Sequence, residues 1–116
     1  MSLRQKIQQV KRDSTDLLVT FKDDEGNLVD ITGSTVILTV KEKQTDEDID
    51  AIFQITQDTH SDPTNGETVL SVTTADTEDV DPKIYFFDIQ IKFLDGKIQT
   101  PSLGTWEILQ DITYAT

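Results

Sequence analysis

The stretch Ile84-Tyr-Phe-Phe-Asp-Ile-Gln-Ile-Lys-Phe93 constrains this chain more than any other. With a period of two, Tyr85, Phe87, Ile89, Ile91 and Phe93 share one face, and Phe86, Asp88, Gln90 and Lys92 share the other. That is the pattern of a half-buried strand, whereas a helix would scatter the aromatics around its surface. Pro82 precedes the run and Asp95-Gly96, a dipeptide suited to a tight hairpin turn, follows it. A core built around a central strand is expected.

Shorter alternations repeat along the chain. Leu17, Val19 and Phe21 alternate in 16–22, Val36, Leu38 and Val40 in 34–41, and Thr68, Leu70 and Val72 in 67–73. Ile49, Phe53 and Ile55 are expected to point inward together, and Trp106, Ile108 and Ile112 to close the fold. Asp23 to Asn27 reads as a turn, Leu28 to Gly33 as the return, and Gly33 as a tight corner. Residues 42–50 and 56–65 are polar crossings, and Thr74 to Pro82 is a single helical turn capped by Thr74. Lys97 to Thr100 pairs back after the hairpin, with a bulge or break at Pro101.

About seven short strands without a long helix predict an all-β domain, an antiparallel two-sheet β-sandwich of immunoglobulin-like or Greek-key form, with a small barrel as the competitor. The sandwich is assigned to 16–113. Residues 1–15 form an N-terminal arm, a short helix or an edge segment, because Leu3, Ile7 and Val10 do not settle a period; 114–116 is a tail. A single domain of this size buries about two-thirds of its unfolded surface.

The formal charge is −12. Such a chain repels the phosphate backbone, so nucleic-acid binding is disfavoured. Residues 1–20 hold four basic and two acidic side chains, +2, which leaves −14 on the rest. This weakly basic end is either a solvated segment or one that meets an acidic neighbouring copy. There is no cysteine, no signal-peptide pattern and no run approaching the roughly eighteen apolar residues of a membrane span. A soluble, cytoplasmically made product without a membrane role is expected.

Candidate chemistry is sparse. His60 is the single histidine, in a polar loop with neither a second histidine nor a cysteine to complete a metal site, and it reads as an ordinary surface residue. The acidic runs Asp46-Glu47-Asp48-Asp50 and Asp76-Glu78-Asp79-Asp81 offer hard oxygen ligands but lack the spacing of a calcium loop. No catalytic, cofactor or metal residue is assigned. Asp88 interrupts the most apolar strand, either solvated or tied to a loop or hydroxyl. Phe86, Ile37 and Leu109 fall on outward faces. With Ile7 and Val10 of the N-terminal segment they are the interface candidates, covered either by the chain's own first residues or by another chain.

Three stretches carry a resemblance: Lys22 to Val36, with Asp30-Ile-Thr-Gly33-Ser-Thr-Val36; Gly66 to Thr77; and Tyr85 to Ile91, followed by Asp95-Gly-Lys97 and Gly104-Thr-Trp-Glu-Ile108. Over about 16–113 the chain resembles a family of small β-sandwich domains in structural proteins of tailed bacteriophages, among them the N-terminal domain of the lactococcal phage upper baseplate protein. Pro82, Tyr85, Phe87 and Asp88 match that family's approach to the central strand, with Lys83 where glycine is common. Asp30, Gly33, Tyr85, Asp88 and Trp106 are then structural. The resemblance implies a non-enzymatic virion module of tail, baseplate or neck, without cofactors, made in the host cytoplasm and assembled with other phage structural proteins or with copies of itself. The alternative is a carbohydrate- or calcium-dependent binding domain.

Overall fold

The computed structural model describes residues 3–112, with side chains from Lys6 onward. Seven strands are present among them: β1 (Leu3–Val10), β2 (Thr15–Thr20), β3 (Thr35–Lys41), β4 (Phe53–Gln57), β5 (Glu67–Val72), β6 (Ile84–Lys92) and β7 (Ile98–Leu109). One sheet has the order β1-β7-β6-β3-β4 and the other pairs β2 with β5. The result is an all-β domain of two sheets curled into a half-barrel sandwich.

The central strand is β6, flanked by β3 and β7. Its inward residues meet apolar partners in register, Ile91 with Val36, Ile89 with Leu38, Phe87 with Val40, and Tyr85 with Trp106. Leu70 and Val72 of β5 are also buried in this core. Trp106 meets the rings of Phe53 and Phe87 edge-on, at centroid distances of 5.8 and 5.6 Å. Each such pair contributes about 0.5–1.5 kcal/mol beyond its buried area.

Several expectations change in detail. The larger sheet is mixed, because β1 runs parallel to β7. Parallel pairing needs a long crossover, and nearly the whole chain lies between these two strands. Of the three forms open to the N-terminal segment, Leu3–Val10 takes the edge strand. The 114–116 tail lies outside the described residues. Ile49 is not inward but 89% exposed, because Asp48–Asp50 forms a 3-10 turn outside the strand. Leu28 makes only an isolated bridge with Lys22. The one-turn helix α1 (Thr74–Thr77) is preceded by Thr73, not Thr74, as its cap, and the Asp76 carboxylate accepts the Thr73 N–H at 2.8 Å. Pro101 sits within β7 where the register with β6 slips between Ile89 and Ile91, as a residue without an N–H requires.

The corner into β3 follows from its sequence. Asp30 Oδ1 accepts the N–H and hydroxyl of Thr32 at 2.9 and 2.6 Å, which holds this carboxyl below its usual range. Gly33 then turns with φ +77°, a left-handed conformation that costs glycine little. This places Ser34 and Val36, both buried, at the start of β3.

Candidate functional site

Outward from the core, β6 presents Phe86, Asp88 and Gln90. Register places Asp88 between Thr39 of β3 and Leu103 of β7, and Phe86 between Lys41 and Thr105. Ile37 stands beside Gln90. Together with Gln54 of β4 and loop residues Gln44 and Asp48, all of these except Thr105 line a groove of about 260 Å³.

The loop wall of this groove is held by specific bonds. Lys41 Nζ donates to the Asp46 carbonyl at 2.7 Å and pairs with Asp48 Oδ1 at 2.8 Å. The Lys43 N–H donates to Asp46 Oδ2 at 3.1 Å. On the sheet, Gln54 Nε2 donates to Thr39 Oγ1 at 2.9 Å. At the loop's first residue, Glu42 pairs with Lys83; the pairing holds the carboxyl low and the ammonium high. The Lys83 ammonium also lies 5.4 Å from the centre of the Tyr85 ring.

Asp88 is half-buried, between the two states its sequence setting left open. Burial pushes its carboxyl above the ordinary range, Lys41 draws it back, and Asp48 pushes it further up. A partly desolvated carboxylate beside an aromatic ring and two aliphatic side chains can seat a cationic or hydrogen-bond-donating group with an apolar stem.

The structure divides the interface candidates. Ile37 and Phe86 meet in the groove. Val10 and Leu109 are register partners on the outward side of β1 and β7. Ile7 instead lies opposite Trp106 and packs on the core. Among the structural candidates, Asp30 and Gly33 form the corner and Trp106 is buried. The Tyr85 hydroxyl donates to the Asp81 carbonyl at 2.6 Å. Burial raises the Tyr85 phenol, with Lys83 opposing.

Three residues carry roles that sequence reasoning missed. His60 is half-buried, not an ordinary surface residue: Nε2 donates to the Ser34 carbonyl at 2.9 Å and Nδ1 shares a hydrogen bond with Thr68 Oγ1 at 2.9 Å. Ser34 and Thr68 are buried on β3's approach and on β5, so His60 ties the two sheets together. Gln9 and Asp111 are buried polar residues. Gln9 Oε1 accepts the Trp106 indole N–H, and the two Asp111 carboxylate oxygens each accept Arg12 Nη1 at 3.1 Å. None sits in a recognisable motif; only the isolated histidine could have drawn attention. Among the described residues no cluster of three metal-ligating side chains is present.

No protein-family model matches the chain, and no curated protein matches it.

Proposed function

We propose that this chain is a non-enzymatic structural or assembly module of a tailed-phage virion, of the tail, baseplate or neck, that works through protein–protein contacts. The observation that carries the reading is the groove on the outward side of the central strand, where Phe86, Ile37 and Leu103 flank a half-buried Asp88. Aromatic side chains at the centre of a polar patch are what interfaces enrich.

An immunoglobulin-like Greek key is supported by the strand order and by Tyr85, whose hydroxyl reaches back to Asp81 from the start of β6 as the tyrosine corner of that fold does. The phage setting is supported by the motifs of resemblance, which occupy the Asp30–Gly33 corner and the approach to β6. Its test is mass spectrometry of purified particles released by the strain that encodes the chain. The protein is expected in fixed stoichiometry with other virion proteins, and particles prepared with Phe86→Glu are expected to lose it. Recovery solely as free protein overturns the reading.

A carbohydrate-binding module is the second reading, because Phe86 stands near Gln54, Asp88 and Gln90 in one groove. Saturable glycan binding abolished by Phe86→Ala would favour it.

A further inference from the structure

We propose that copies of this chain join edge to edge, the β1 edge of one against the β4 edge of the next, so that the five-stranded sheets continue from subunit to subunit. The inference rests on the assembly reading above and names its homotypic contact. Strands β1 and β4 are the two ends of the same sheet, each with a hydrogen-bonded neighbour on one side. An end strand presents a row of backbone donors and acceptors that another strand can satisfy, and protected edges normally carry charges, proline or a bulge. The β4 strand, Phe-Gln-Ile-Thr-Gln, has no charge and no proline, and its register with β3 is unbroken.

Charge selects the pairing. The β1 strand contains Arg4 and Lys6 and is followed by Lys11, while the remainder of the chain is strongly acidic. The β4 strand is bracketed by Glu47 and Asp50 before it and by Asp58 after it, all exposed, while Asp48 is already paired with Lys41 and is not counted. Arg12 is already held by the buried Asp111, so its charge is not counted here. Pairing β1 with β1 brings like cations together, and pairing β4 with β4 brings like carboxylates together. Pairing β1 with β4 sets opposite charges at both ends of the contact in either strand direction, and so combines attraction with rejection of the alternatives. Because the two edges differ, the contact is head-to-tail and builds a ring or an open row rather than a closed dimer.

The test uses two charge-reversed proteins, one with Lys6→Glu and Lys11→Glu, the other with Asp50→Lys and Asp58→Lys, and sedimentation analysis from micromolar to millimolar concentration. The unaltered chain is expected to grow in mass with concentration, and each variant alone to stay monomeric with an unchanged melting temperature. An equimolar mixture of the two is expected to regain association, because every β1–β4 contact between unlike copies again joins opposite charges. A monomeric unaltered chain at all concentrations overturns the proposal, as does a mixture that stays monomeric. Persistent dimers of the second variant would assign the contact to β1 with β1, which also overturns it. A monomeric chain that is still found in purified particles would leave the assembly reading standing through a different partner.

Discussion

Inside the core, the indole N–H of Trp106 donates to Oε1 of Gln9 at 3.1 Å, joining the first strand to the last. Both residues are buried, and Gln9 Nε2 donates onward to the Asp13 carbonyl at 3.1 Å. The N-terminal strand is thereby part of the folded unit. Gln9→Leu keeps the volume but strands the indole N–H, and an unsatisfied buried donor costs about 1–3 kcal/mol. Denaturant titration should show that loss. Combining Gln9→Leu with Trp106→Phe should give less than the sum of the single changes, since the second removes the stranded donor.

Tyr85 and Asp81 offer a narrower test of the turn that delivers the chain to β6. Tyr85→Phe deletes one hydroxyl and leaves the ring in place. The expected cost is about 1 kcal/mol, because the Asp81 residue is exposed and water can satisfy its carbonyl. A thermal melt should show a lower midpoint with the same cooperativity.

Two glycines with similar backbone angles should respond very differently. Gly66 has φ +74°, and a β-carbon there would stand 2.6 Å from the Val29 carbonyl oxygen and 2.8 Å from that of Phe21. Both are backbone atoms that cannot rotate away. Gly26 has φ +82° with nothing within 4 Å. Gly26→Ala should therefore cost about 1–2 kcal/mol, the left-handed penalty alone. Gly66→Ala should exceed about 3 kcal/mol or prevent folding. Equal losses in the two variants would refute the argument from close approach.

Asp88 should make stability depend on pH in an unusual direction. Its folded carboxyl is raised by burial above the ordinary value of 3.8, so between those two values the folded chain holds more protons than the unfolded one. Stability from this group falls as pH rises through the folded value, and the penalty is fully present at neutral pH. Asp88→Asn should raise the melting temperature near pH 7, and the difference should vanish below the ordinary carboxylate value. A difference independent of pH would place its cause elsewhere.

Much of the architecture is legible from alternation. Tyr85, Phe87, Ile89 and Ile91 face the core as their spacing requires, and Gly33 and Pro101 mark the corner and the bulge. These features are local, since side-chain direction in a strand, positive φ and a missing N–H all belong to single residues. Ile49 shows where the reading breaks down: an apolar residue just before a strand continued the pattern, but a 3-10 turn removed it from register. The groove is half legible. The outward position of Phe86 and Asp88 follows from parity, whereas the loop wall depends on Lys41 reaching Asp46 and Asp48.

By itself, then, the sequence determined that the chain makes short strands, which faces they bury, and that β6 is their centre. Only the tertiary structure decided that β1 runs parallel to β7, that His60 bridges Ser34 and Thr68, and that Gln9 satisfies Trp106. Burial patterns are written in each strand because water is excluded from one side of it. Which strands become neighbours, and which distant polar groups satisfy one another in the dry interior, depends on contacts across nearly the whole chain, and no local period records them.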